Sequence, residues 1–500
     1  EGAISHILRR HHGVENPTHV DIRKYYDKHL HPDVLDFNDE KVYKNVFHKG
    51  KWAGIFQFTE NGAQALCKKA KPNSIIDISA ITSIYRPGPL SANVDKSYIE
   101  AKKAPALTTY LNDVHREITE ETYGFLIFQE QIALLAHRLG KNISLDEGNK
   151  LRKILTKKGG GDKKKEFISL RTRFVDGCVE KGIRERDAVE MWEKFEFFSG
   201  YGFNKSHAVS YSMISYQCAW LLTYFEAEWM AAFLDKEPET RKEKAINIAK
   251  SFGYYIEPLN INTSGRTWEI SEDGTSLIQP LTSIKGLGDA AIDQIFAGRP
   301  FNKIEDFLFN EEMRYSKLNK KALDVLCRSG TMRTLIDNRF TGTKHFWSAV
   351  AVDRPRKLKN LEENIETYKP EGDFTDEEQI HFLTELTGQF PLSKVVTNEV
   401  LNKLQDMCVP PISEYDRRLG LAWCIPRRIN IKKTSTGKDY LLVEVTDSNS
   451  SNVRVRCWGV DPSMGDILEL NKPYLMKPAY NEQWGFSTRG RITKYWKKIA

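Results

Sequence analysis

"GYGFNKSHAVSYSMISYQCAWL" (residues 200–221) sets Lys205, Ser206 and His207 side by side, between a glycine turn and an apolar, aromatic run that continues to Phe233. Asn204 or Ser206 offers an oxygen where a helix would begin, because a cap side chain accepts from amides that the first turn leaves unpaired. The run carries Glu226 and Glu228 before its end, which marks a buried helix rather than a membrane span. A helix N-terminus presents about half a positive charge and several free amides, so the junction reads as an anion site to which Lys205 and His207 add charge. An ordinary capped core helix accounts for one polar residue there, but not for the lysine and histidine beside it.

The nearest basic stretch strengthens that reading. Arg138 to Lys165 contains ten Lys/Arg against three Asp/Glu, an excess of seven that equals the net charge of the whole chain, +7. Basic residues concentrated in this way attract polyanions over roughly a Debye length. The competing reading is a solvated basic loop around "KKGGGDKKKE" (157–166). In "KLRKILTKK" (150–158), Lys150, Arg152, Lys153, Lys157 and Lys158 fall within about two helical turns, and Lys153 and Lys157 share a face. Such a row suits a triphosphate or a strand backbone, and charge alone does not choose between them.

Outward from these two segments, residues 1–250 show helical periodicity in "NGAQALCKKA", "FQEQIALLAHRLG" and "ERDAVEMWEKFEFF", with loops at "RPGP" (86–89) and "KKGGGD" (157–162). The pattern changes near residue 251. Ile284, Gly286, Leu287, Gly288, Ala291 and Ile292 have the form of a helix-hairpin-helix, whose glycines let a phosphate approach the backbone, and "LNKKALDVLCRSG" (318–330) fits its second element. Residues 336–415 are polar and read as a helical or linker region. From about 416 the period falls to two, and three strands with turns at "TSTGK" and "DSNSS" predict a small Greek-key barrel of the OB type. Such barrels bind single strands by stacking bases beside a basic groove, for which Trp458, Trp484 and Phe486 are the candidate rings. The expected class is multidomain α+β.

"GIFQF" (54–58), "YRPGPL" (85–90), "GFLIFQEQI" (124–132), "LRKILTKK" (151–158) and the opening stretch, in this order and spacing, resemble the fingers of the C-family DNA polymerases, the bacterial replicative DNA polymerase III alpha subunits. The hairpin, "TELTGQFPLS" (384–393) and the barrel follow in that family's order. The resemblance implies a fingers domain over 1–250, a helix-hairpin-helix domain over 251–335 and an OB domain over 416–500. It also implies template-directed nucleotidyl transfer with Mg2+, held by carboxylates of a palm that would precede this segment. By the same resemblance Arg152, Lys153, Lys157, Lys205, Ser206 and His207 would face the incoming dNTP. Lys153 stands where many relatives have arginine, which keeps the charge but loses the bidentate fork. Arg86, Lys158, Lys163, Lys164, Lys285, Gly286, Gly288, Arg454, Arg456 and Trp484 would contact DNA. The partners implied are primer-template DNA, dNTPs, the palm-containing portion, a sliding clamp, a clamp loader and a proofreading exonuclease.

The first residue is Glu1, and "EGAISHILRRHHG" reads as a helix with nothing before it, so the expectation is a segment cut from a longer protein. The acidic "HPDVLDFNDE" (31–40) has neither the position nor the spacing of the palm aspartates. No residue is therefore read as catalytic or as a metal ligand, and this chain alone is expected to bind without catalysing. Seven of the twelve histidines fall between His6 and His48, with no cysteine among them to make a metal site. The seven cysteines lie far apart and fit reduced thiols in a cytoplasmic protein. "QIHFL" (379–383) only loosely resembles a clamp-binding peptide, since "IHFLTELTGQFPLS" reads as a buried helix. The alternative function is a non-catalytic DNA-binding subunit or a degenerate paralogue.

Overall fold

The computed structural model describes residues 1–156, 162–199, 202–311, 317–434, 436–461, 467–481 and 485–499; within these, the side chains of residues 61, 87, 91, 152, 153, 156, 162–164 and 199 lie outside the description. The chain divides into two compact units, Glu1–Trp229 and Met230–Ala500.

The first unit is helical. Helix Gln129–Leu139 buries Ile132, Leu135, Ala136 and Leu139, the three-and-four spacing that turns one stripe toward a core. That core gathers Phe174, Trp192 and Phe195 from helices Asp162–Glu180 and Glu185–Ser199. Helix Leu145–Thr156 begins at a reciprocal cap, with the Ser144 amide donating to Glu147 and the Glu147 amide to the Ser144 hydroxyl. The apolar run after the opening motif forms two helices, Lys205–Tyr224 and Glu226–Lys236, separated at Phe225, whose φ and ψ of −139° and 58° leave helical space. The two acids of that run find partners: Glu226 pairs with Lys51 at 2.8 Å, and buried Glu228 takes Arg10 at 3.0 Å and His11 at 2.9 Å. "RPGP" differs from the expected loop. Pro87–Ser91 is a short helix, because a proline at the first helical position has its φ preset and lacks only an amide that would go unpaired.

In the second unit, strands β1 (Tyr255–Glu257), β2 (Glu269–Ile270) and β3 (Ser276–Ile278) form a small sheet, with β3 parallel to β1 and antiparallel to β2. The glycine hairpin follows it: a 3-10 turn Leu281–Ser283, then helix Asp289–Gly298. Ile284, Ile292 and Ile295 pack with Leu323 and Leu326 of helix Lys320–Arg328, the expected second element. Helix Asp376–Thr387 covers the "QIHFL" segment and ends at Gly388, which takes a left-handed φ of 72°.

The C-terminal strands are β4 (Ala422–Lys433), β5 (Asp439–Thr446), β6 (Val453–Trp458), β7 (Tyr474–Met476), β8 (Ala479–Asn481), β9 (Gly485–Arg489) and β10 (Trp496–Lys498). They form one sheet in the order β10-β7-β4-β5-β6-β9-β8, antiparallel except for β6 with β9. β4 pairs with β7 through Ala422–Cys424 and with β5 from Ile425 onward, and a bulge in the β4–β5 register between Pro426 and Arg428 adds bend to a sheet that curls into a half-barrel of the OB type. Leu441, Val443, Val445, Val455 and Cys457 alternate into its core, as the period of two predicts.

Candidate nucleotide and nucleic-acid site

The opening motif is held by "GFLIFQEQI" (124–132). Phe203 bridges to the start of helix Gln129–Leu139: its amide donates to the Ile127 carbonyl at 3.1 Å, and its carbonyl accepts from the Gln129 amide at 2.9 Å. Gln129 donates its side-chain amide to the Gly202 carbonyl at 2.6 Å. A Cβ on Gly202 would sit 3.2 Å from Gln129 Cγ and 3.3 Å from the Phe198 carbonyl, so a side chain there would press on both. Gln131 turns inward and closes its own loop, accepting from the Ile127 and Phe128 amides and donating to Thr122.

Asn204 caps helix Lys205–Tyr224, its side-chain oxygen accepting from the His207 amide at 2.8 Å and from the Ser206 hydroxyl at 2.7 Å. Glu130 then occupies the end of that helix, accepting from the Lys205 amide at 2.9 Å and the Asn204 side-chain amide at 2.8 Å. The Lys205 ammonium is bound by both oxygens of Glu121, at 2.6 and 2.8 Å. Two carboxylates thus stand against the donors that the sequence reading offers to an anion. The His207 ring lies 4.0 Å from that of Tyr211. A cavity of about 130 Å³ beside the turn is lined by Gln129, Glu130, Gly148, Asn149 and Asn204. Gly148 and Asn149 belong to helix Leu145–Thr156, so the helix that carries the basic row bounds this cavity.

A buried network braces the segment that carries Glu121. Asp77 accepts from Lys102 at 2.8 Å, from the Tyr98 hydroxyl at 3.1 Å and from the Tyr123 hydroxyl at 3.0 Å. Burial and the Asp77 charge push the Tyr98 and Tyr123 phenols well above their ordinary range, so both remain hydrogen-bond donors.

The remaining sequence-predicted residues fall as follows. Arg152 and Lys153 are on helix Leu145–Thr156, and Lys163 and Lys164 on helix Asp162–Glu180, all with side chains outside the description; Lys157, Lys158 and Trp484 lie outside the described residues. The Arg86 guanidinium lies over the Phe203 ring at 5.0 Å. In the second unit, the Lys285 amide donates to the Leu386 carbonyl at 2.9 Å, which ties the hairpin to "TELTG". Gly286 takes φ 91°, whereas Gly288 has no heavy atom within 4 Å of the place a Cβ would occupy. Gly288 is therefore neither strained nor crowded by its own chain, and the space before it is open to an approaching group. On the outer face of the sheet, Arg454 and Arg456 stand opposite Glu444 and Leu442, and Arg454 meets the Glu444 carboxylate at 3.3 Å. Trp458 packs on Tyr440 at 4.4 Å, and Phe486 on Tyr480 at 4.8 Å.

No group of three or more His, Cys, Asp or Glu among the described residues could hold a metal ion. The acids of 31–40 are engaged locally: Asp36 accepts from the Asn38 amide, Asp39 from the Lys41 amide and Tyr224 hydroxyl, and Glu40 pairs with Lys44. They do not fit a two-metal centre. Nor is any helix among the described residues long and apolar enough to cross a membrane.

Residues 17–182 match the family model of the bacterial DNA polymerase III alpha subunit finger domain, and residues 253–341 match that of the helix-hairpin-helix motif. The chain is 30% identical to a DNA polymerase III subunit alpha of Aquifex aeolicus over 485 residues, covering 94% of this chain and 40% of the relative. It is 33% identical to that of Campylobacter jejuni over 331 residues (63% of this chain, 27% of the relative). With that of Bacillus subtilis the identity is 34% over 313 residues (61% and 27%). The aligned part of the chain thus spans about a quarter to two fifths of the length of these curated relatives.

Proposed function

The chain belongs to the family of bacterial DNA polymerase III alpha subunits, and from that premise we propose that it forms the nucleotide-facing and DNA-holding part of a template-directed replicative DNA polymerase. The observation that carries the proposal is the convergence of the capped turn Asn204–His207 and the start of the basic helix on one cavity. In this reading the row Arg152, Lys153 and Lys157 takes the triphosphate of a dNTP, with Lys205, Ser206 and His207 at its edge. Arg86 and the basic segment Lys158–Lys164 follow the primer-template. The hairpin at Lys285, Gly286 and Gly288 grips duplex backbone, and the half-barrel at Arg454, Arg456 and Trp484 meets single strand. Mg2+ would be held by palm aspartates outside this chain, and the reaction would take place in the cytoplasm. Clamp, clamp loader and proofreading exonuclease would join through surfaces yet to be assigned.

The chain should bind primer-template DNA, with affinity falling steeply with salt because each neutralised phosphate releases counterions at a slope of about −0.9. Joined to a palm-bearing segment it should extend primers, and the double change Arg152→Ala, His207→Ala should abolish most of that extension. Undiminished extension by the double variant would remove these two residues from the site. A second reading, a DNA-binding component without nucleotide chemistry, is favoured by the carboxylates of Glu121 and Glu130 on the turn's donors. It predicts DNA binding with no saturable response to any dNTP.

A further inference from the structure

Helix Lys205–Tyr224 has two faces of different character. Ala208, Ser212, Ser215, Ala219 and Leu222 are buried, and the Ser212 hydroxyl accepts from that of Ser79 on helix Ile75–Ile84 at 2.9 Å. An adjoining face carries His207, Tyr211 and Ile214 into solvent, Tyr211 at 36% and Ile214 at 43% exposure. Phe56, also 36% exposed, lies beside this face with its ring 5.2 Å from that of Tyr211. It belongs to "GIFQF", a motif otherwise without a role. Its carbonyl accepts from the buried Ser215 hydroxyl at 2.8 Å, and Gln57 follows in a left-handed conformation at φ 67°, so the loop that presents the ring is fixed from behind.

The rings form one continuous row. Phe56 meets Tyr211 at 5.2 Å, Tyr211 meets His207 at 4.0 Å, and His207 meets Phe203 at 5.5 Å; the Arg86 guanidinium lies over Phe203 at 5.0 Å. Deepening the family-derived reading on which it rests, we propose that this row is a stacking platform for nucleobases, with Tyr211 at its centre and Phe56 and His207 flanking it. Three features favour a base as the occupant. The row is built of flat π-systems, with Ile214 the aliphatic side chain beside it. It ends in a guanidinium that can stack on a base or meet a phosphate. It also starts from the turn whose Asn204 lines a cavity with Gly148 and Asn149 of helix Leu145–Thr156, so a ligand with a flat apolar body and a charged backbone meets matching chemistry in both places. His207 is then a base contact, while Lys205 is held by Glu121.

The test uses the full 500-residue chain, an oligonucleotide carrying 2-aminopurine, and an oligonucleotide of the same length made of abasic residues. Wild type should bind the base-bearing strand more tightly and quench its fluorescence. Tyr211→Ala should weaken that binding by about five- to a hundredfold, the range for one lost stacking partner, and leave abasic binding unchanged. Tyr211→Phe should restore affinity and quenching, and Phe56→Ala should behave like Tyr211→Ala, which separates a stacking role from a general loss of fold. Titrations with a dNTP and with inorganic tripolyphosphate identify the source of the base: loss with the dNTP alone points to the incoming nucleotide, and loss with the oligonucleotide alone to a strand. If Tyr211→Ala matches wild type on the base-bearing strand and on the dNTP alike, the platform is overturned while the family-derived reading stands. If wild type binds no strand at all, that reading falls and takes the platform with it.

Discussion

Glu130 is intermediate in exposure and holds two donors at the head of helix Lys205–Tyr224, while Glu121 holds the Lys205 ammonium. A carboxylate at a helix N-terminus is stabilising, and it also fills the place a phosphate would take. Glu130→Ala should therefore cost about 0.3–1 kcal/mol of stability, the usual magnitude for a carboxylate at a helix N-terminus. The same variant should bind tripolyphosphate more tightly, and Glu121→Gln, which frees Lys205, should do so as well; calorimetric titration measures both. Weaker binding in both variants would mean that the carboxylates position the anion site instead of masking it. The cap itself was legible in the sequence, because Asn204 precedes an apolar run in the order caps require. The masking was not. Glu121 and Glu130 lie 84 and 75 residues from Lys205, and no local pattern pairs side chains across that separation. Tyr211 and Phe56 escaped for a related reason: an aromatic in an apolar run reads as core, and only the packing shows which helix face stays open.

At the scale of elements, the two glycines of the hairpin separate stability from binding. Gly286 sits at φ 91°, where a side chain costs roughly 1–2 kcal/mol, although a Cβ would meet Val325 at an ordinary 3.6 Å. Gly288 has an unstrained backbone and open space before it. Gly286→Ala should lower the melting temperature. Gly288→Ala should melt like wild type yet lose affinity for duplex DNA, because a methyl group stands where the phosphate would approach. A Gly288→Ala variant with wild-type DNA affinity would remove the hairpin from the interface. The elements themselves were legible wherever periodicity was strong, as in helix Gln129–Leu139 and strands β4 to β6. It failed at Phe225, where ring contacts with Trp220 and His11 and the ion pairs of Glu226 and Glu228 accompany a break in the run that apolar patterning reads as continuous.

For the whole molecule, the two units should respond differently to acid. In the first, burial holds His6 down to about 4, with Arg9 and Arg10 adding to the effect and Glu228 opposing it; His115 is likewise held down to about 4 by burial and by Lys194. Their folded-state pKa values lie below the unfolded value of 6.5, so the unfolded chain binds more protons between pH 6.5 and 4. The stability associated with neutral His6 and His115 is therefore intact above 6.5 and is lost as pH falls toward 4. For His6, that loss is on the order of 2 kcal/mol at pH 5. In the second unit, Glu305 and Asp337 are carboxylates held below their ordinary range by Arg339, and their contribution is lost only at lower pH. Calorimetry between pH 7 and pH 5 should show the first unit's transition moving down further than the second's. His6→Gln, a side chain that cannot take up the proton, should reduce that shift and leave the second transition where it was. An equal shift in His6→Gln and wild type would mean that His6 already finds a protonated partner in the fold, contrary to its burial beside two arginines.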